Sequence, residues 1–169
     1  MISVAHDESP AVFSATRSIT SLVLGDIDVT DDVVMSFPTP LLGFPDHREY
    51  ALLPAAREGL WWMQSTTDGG VTFLLADPFV LDIGYGVDLG ETERATLRIG
   101  APTDAFSLVM LSLPSMDGEQ ATGNFRAPLV FNLHERLGMQ IVSRDESHEL
   151  RRPVTLDVFP PQPSGLRMR

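Results

Sequence analysis

The chain has 169 residues, with 23 acidic against 12 basic side chains and a formal net charge of -11. Such a field repels a phosphate backbone, which argues against direct nucleic-acid binding and favours encounter with a basic protein surface. The chain has no cysteine, which excludes disulfides, thiolate nucleophiles, cysteine-type zinc sites and iron–sulfur clusters.

Residues 1–17 are loose in composition and are expected to form a flexible N-terminal extension. Met1 to Pro10 shows neither the basic start nor the apolar run of a secretory signal, and no run approaches the length of a membrane helix. The expected location is therefore the cytoplasm, away from membranes. Residues 19–24 lead through Gly25-Asp26 into residues 27–29, a hairpin whose turn the Gly-Asp pair would supply. Residues 33–37 either extend that sheet or form a short helical turn capped by Thr30 or Asp31.

Further strands are expected at 50–53, 60–65 and 71–76, the last two joined through Asp68-Gly69-Gly70. Residues 91–98 carry the main helical pattern. The longest β-like run is 106–113, and 129–132 should pair with 138–142 across a polar turn. With 13 prolines opposing long helices, the chain reads as one all-β domain, a small antiparallel barrel-like fold over residues 18–153 with at most short helices. Residues 154–169, holding Pro160-Pro161 and Pro163, read as a flexible proline-rich tail.

Catalytic patterns are weak throughout. His6, His47, His134 and His148 are not paired at ligand spacing, so no metal is expected. Asp77-Pro78 is first a turn initiator, although Asp77, Asp88 and Glu91 could be imagined as acid–base groups. Gly84-Tyr85-Gly86 and Gly90 fit no phosphate-loop spacing, and Ser65, Ser107 and Ser112 have no nucleophile elbow. Trp61 and Trp62, as strand neighbours, face opposite sides of a sheet. One should be core and the other exposed or half covered, unless both faces of the sheet are covered.

Three motifs recur in order: Phe37-Pro38-Thr39-Pro40-Leu41-Leu42-Gly43-Phe44, then Trp62-Met63-Gln64-Ser65 with Asp77-Pro78-Phe79, then Ala127-Pro128-Leu129-Val130-Phe131-Asn132 followed by Gln140. Their order and spacing resemble the FliW family of flagellar assembly factors. Pro40 and Leu42 stand where that family has Gly and Pro. The resemblance implies a non-enzymatic β-barrel protein, without cofactor, that binds flagellin. Released from flagellin, it would bind the RNA-binding translational regulator CsrA and relieve repression of flagellin synthesis.

The expected partner-binding residues are Phe44, Trp62, Gln64, Asp77, Phe79 and Asn132. In that expectation, Phe44, Trp62 and Phe79 form an apolar centre ringed by Asp46, Asp77 and Asp82. The alternative is a barrel that binds a small ligand or hydrolyses one, using Asp77, His134 or a neighbouring carboxylate.

Overall fold

The structure is a computed structural model and describes residues 14–162. Ten strands form: β1 (Thr16–Ser21), β2 (Gly25–Thr30), β3 (Val34–Ser36), β4 (Glu49–Pro54), β5 (Leu60–Ser65), β6 (Thr72–Ala76), β7 (Phe106–Ser112), β8 (Thr122–Asn132), β9 (Leu137–Gln140) and β10 (Arg152–Pro153). Two short helices, α1 (Pro78–Leu81) and α2 (Glu91–Leu97), lie between β6 and β7. Strands β3 to β9 close into a seven-stranded barrel. Neighbours run antiparallel except at the seam, where β3 meets β9 in parallel through Ser36 and Leu137.

β8 is long enough to serve two neighbours on one edge while β7 holds the other. Its first residues pair with β10, and Leu129 to Asn132 pair with β9. Its register against β7 shifts between Leu108 and Met110. Pro128 sits within that irregularity, where a residue without an N–H removes no regular ladder bond.

The inward side chains fill the barrel. Met35, Phe37, Tyr50, Leu52, Met63, Leu75, Leu108, Leu129 and Phe131 make one buried cluster from alternate positions of the strands. Gly138 gives this cluster room, since a Cβ there would lie 2.7 Å from the Phe37 ring. The lumen is therefore packed with side chains.

The intervening positions are also apolar, because the outer face is covered in three places. The β1–β2 hairpin covers Val34, Ala51 and Leu53. Leu97 of α2 packs on Val130, Met139 and Ile141. Val154 and Phe159 from the end of the chain join Leu60, Leu74, Val109 and Phe125. A sheet wet on one face alternates apolar and polar residues, whereas one covered on both faces reads as continuous apolar runs such as Tyr50 to Leu53.

The C-terminal expectation needs correction. Residues 154–162 are not frayed: Val154 and Phe159 are 4% and 0% exposed, residues 156–158 form a 3-10 turn, and Pro161 bridges to Arg57. Apolar side chains at 154 and 159 outweigh the prolines, which only shape the path. At the other end, Thr16 and Arg17 already pair in β1. Residues 1–13 and 163–169, including His6, lie outside the described residues.

Smaller adjustments have local causes. The β1–β2 turn is Leu22 to Leu24, and Gly25, at φ +75°, opens β2 opposite Ser21. Residues 31–33 form a 3-10 turn and 34–36 then form strand, so both readings of that segment hold in series. No side chain caps the turn. α2 starts after Gly90 and ends at Arg98, which adopts the left-handed conformation.

Tyr50 is fully buried in the lumen and its hydroxyl has no hydrogen-bond partner among the described residues. Burial pushes its phenol from the ordinary value near 10 up to about 12. Burial also raises Tyr85, whose hydroxyl donates to the Phe125 carbonyl at 3.0 Å. As pH climbs, unfolded tyrosine loses its proton first, so the stabilisation is complete below about pH 10 and is lost as pH rises through the folded value. Tyr50→Phe should add about 1 kcal/mol at neutral pH by removing an unpaired hydroxyl, and should flatten the alkaline loss. Urea denaturation at neutral pH and across the alkaline range checks both; a variant less stable than the parent at neutral pH would refute the unpaired hydroxyl.

Candidate partner-binding surface

The motif residues divide into those that build the surface and those that lie on it. Gln64 points out from β5 and is 0% exposed beneath the β1–β2 hairpin. Its Oε1 accepts from Ser21 Oγ at 2.6 Å and from Thr72 Oγ1. Its Nε2 donates to the carbonyls of Ser65 and Asp68, both at 3.0 Å. The side chain thus ties the hairpin, the β5–β6 loop and β6 together. Gly69 permits the close approach, because a Cβ there would lie 1.9 Å from the Thr20 carbonyl oxygen.

Asn132 is 3% exposed and does similar work on the other side of the barrel. Its Nδ2 donates to the carbonyls of Leu97 and Arg98 at 3.0 and 3.2 Å, satisfying two acceptors at the end of α2. Its Oδ1 accepts from the Glu135 N–H in the β8–β9 turn. Asp77 caps α1, accepting the Phe79 N–H at 2.9 Å, with Pro78 at the first helical position. Gln64 and Asn132 are buried and internally bonded, so in this conformation they are scaffold and present no surface to a partner.

Of the expected apolar centre, Phe44 lies against the lumen cluster, whereas Trp62 packs on the outer face and Phe79 lies beside Tyr85 of an outer-face cluster. Phe44 is half-buried against the lumen cluster, edge-on to Phe73 at 5.0 Å. Trp62 is half-buried on the outer face between the hairpin and C-terminal clusters. Trp61 is half-buried on the lumen side, 5.6 Å from Phe106, so both faces of β5 are covered. Phe79 is 48% exposed beside Tyr85. Of the expected acidic ring, Asp46 is exposed and Asp82 accepts from Arg152 at 2.8 Å, which holds its carboxyl below the usual range.

Leu42, at a motif departure, is exposed, and its N–H donates to Gln140 Oε1 at 3.3 Å. A proline there would have no such donor. Gln140 also donates to the Ala127 carbonyl, so the first and third motifs meet in space.

Sequence reasoning missed most of the exposed surface around Phe79. Val80 is 44% and Ile83 94% exposed, and beside them a cleft of about 380 Å³ is lined by Phe79, Val87, Leu89, Ile99, Pro102 and Ala105. Asp88 and Arg94 also face it. The signal was Ile83 and Val87, apolar residues among Gly84, Gly86 and Asp82, too glycine-rich to be a strand yet too apolar for an ordinary loop.

The three described histidines do not converge. His47 Nδ1 lies 2.9 Å from Ser65 Oγ, and His134 is an exposed neighbour of Glu135. His148 lies over Tyr85 at 4.7 Å, with Ser143 Oγ 2.7 Å from Nδ1 and Asp145 3.6 Å from Nε2. That trio is a loop closure: Ser143 Oγ also accepts the Asp145 N–H, and Asp145 in turn accepts from the N–H and hydroxyl of Ser147.

A filled seven-stranded barrel whose apolar surface gathers beside a solvent-facing cleft has the build of a small protein-binding module. A family model described as "FliW protein" matches residues 18–154, and the chain belongs to that family. A flagellar assembly factor FliW from Natranaerobius thermophilus is 30% identical over 140 residues, 82% of this chain and 93% of that protein. One from Leptospira interrogans is 29% identical over 131 residues, 77% of this chain and 87% of that protein. A crystal structure of the flagellar assembly factor FliW superposes with a TM-score of 0.73 at 24% identity, covering 83% of this chain and 98% of that one, and bears out the fold. Among the described residues no helix is long and apolar enough to cross a membrane.

Proposed function

We propose that this protein is a cytoplasmic, non-enzymatic flagellar assembly factor that binds flagellin. When flagellin is absent, it binds a CsrA-type RNA-binding regulator and relieves repression of flagellin synthesis. Membership of the FliW family across residues 18–154, which include the whole barrel, carries this reading. The net charge of -11 supports it. An acidic protein approaches a basic RNA-binding surface quickly and disfavours RNA beside it. Folded-protein chemistry points the same way, since the lumen is filled and Asp77 is engaged as a helix cap rather than poised as a base.

Size-exclusion chromatography of the purified protein mixed with flagellin monomer, and separately with CsrA from the same bacterium, tests the proposal. A complex is expected in each case, and added flagellin should displace CsrA. The association rate with CsrA should fall as salt rises, because opposite net charges steer the encounter. A protein that forms neither complex at low salt is not this kind of factor.

A further inference from the structure

The β1–β2 hairpin lies outside the barrel sheet, and among the described residues β2 pairs with β1 alone. The Asp31 N–H bonds the Ala15 carbonyl, so the hydrogen-bonded pairs of the ladder fall at odd positions, Val29 with Arg17 and Ile27 with Ile19. The N–H and C=O groups of Asp26, Asp28 and Thr30 therefore point away from β1, along the hairpin's outer edge. Side chains agree with that phase: Asp28 accepts from Ser18 Oγ at 2.5 Å and Asp26 from Thr20 Oγ1 at 2.9 Å, across the closer pairs that share no backbone bond. None of these outward backbone groups has a partner among the described residues. The far edge of β1 is not equivalent. There the Leu22 N–H bonds the Gly69 carbonyl and Gly69 lies against the Thr20 carbonyl, so the β5–β6 loop blocks one end.

A free strand edge is a template for another strand, and its side chains decide which strand it takes. Asp26 and Asp28 are exposed on the hairpin's solvent face, and neither is in an ion pair among the described residues. The cations at the Thr30 end are engaged: Arg17 with Asp31 and Glu49 at 3.1 and 3.2 Å, and Arg136 with the Asp31 carbonyl. On the opposite face Val29 is buried and Ile27 half-buried, in an apolar cluster that includes Val33, Leu53 and Trp62. A second copy of this chain is a poor occupant, because antiparallel pairing of β2 with itself brings the aspartates of the two copies together. A strand with lysine or arginine at alternate positions puts opposite charges there instead.

We infer that the outer edge of β2 is a strand-addition site, taking an extended segment of a partner protein with basic residues at alternate positions and apolar residues between them. The backbone of that segment bonds the outward N–H and C=O groups of Asp26, Asp28 and Thr30. Its lysines or arginines face Asp26 and Asp28, and the residues between them continue the apolar layer of Ile27 and Val29. Main-chain bonds supply the affinity and the two aspartates supply the choice of partner. The edge takes such a segment whichever protein carries it, so the inference does not depend on flagellin or CsrA being the partner.

The test uses the full chain, isotope-labelled, and two short peptide probes, one alternating lysine and valine and the other glutamate and valine. Amide hydrogen exchange is the readout, because a contact through side chains alone leaves the outward N–H groups open to water. Saturating lysine–valine peptide is expected to slow exchange at Asp26, Asp28 and Thr30 by about tenfold or more, and the glutamate–valine peptide to leave it unchanged. Replacing both aspartates, Asp26→Lys with Asp28→Lys, should exchange the two preferences. Asp28→Pro, which removes an outward donor and no ladder bond, should weaken the lysine–valine peptide in a hairpin that stays folded. The edge is refuted if the peptide protects Thr16 and Ser18 instead, if both peptides protect β2 equally, or if the charge-reversed variant keeps the parent's preference. Protection of these amides without peptide also overturns it: a second copy fills the edge if the protection grows with protein concentration, and another part of this chain fills it if not. If the parent takes the basic peptide on this edge but binds neither flagellin nor CsrA, the edge stands and the proposed function falls.

Discussion

Phe159→Ala is expected to destabilise the fold by about 3–5 kcal/mol, the range for truncating a buried phenylalanine. The ring is fully buried and lies 3.0 Å from where a Cβ on Gly59 would stand, a position held at φ +85° at the tip of the β4–β5 connection. Its carbonyl accepts from Arg57 at 2.9 Å, and the segment beyond it pairs with that same connection through the Glu58 N–H and Pro160 carbonyl. Losing the ring leaves a cavity between β5, α1 and the C-terminal segment, and residues 160–162 lose their anchor. A frayed tail predicts almost no effect. Chemical denaturation separates the two, and a variant within about 0.5 kcal/mol of the parent would restore the frayed reading.

Gln64→Leu is expected to cost about 3 kcal/mol or more, because the leucine fills similar space but leaves several buried groups without partners. Ser21 Oγ and Thr72 Oγ1 would lose their acceptor, and the Ser65 and Asp68 carbonyls a donor. The damage should concentrate where the β1–β2 hairpin meets β5, so amides of β1 and β2 should exchange faster while those of β7 and β8 keep their protection. A Gln64 that contacted a partner instead would weaken binding and leave exchange unchanged. The two outcomes are distinguished in one pair of measurements on the free protein and its flagellin complex.

Both expectations turn on positions where local sequence and tertiary context disagree. Short apolar runs bounded by turn residues were enough to place β4 to β7, β9 and the last four residues of β8, because a strand's length and its punctuation are written locally, whereas Thr122 to Pro128, which make β8 the longest strand, were not read as strand. The pairing of residues 129–132 with β9 was equally legible, since only the turn at 133–136 separates them. The absence of cysteine and the acidic balance limited the chemistry before any fold was known. The order of the three motifs carried the family.

What the sequence left open depended on residues far apart in the chain. The strand periodicity cannot tell the lumen from the outer face when both are apolar, so Trp61 and Trp62 gave no side until the hairpin, α2 and the C-terminal segment were seen to cover the barrel. The composition of residues 154–162 suggests a tail, but burial of Phe159 against Leu60, Leu74 and Phe125 decides its place. Gln64 and Asn132 look like polar contact residues in a linear reading. Their partners, Ser21 for one and the α2 terminus for the other, lie 43 and about 35 positions away, and only folding makes them internal ties. Ile83, apolar by type, is 94% exposed, while Leu81 two residues before it packs against the cluster around Tyr85 and Phe125, a difference that local sequence does not show.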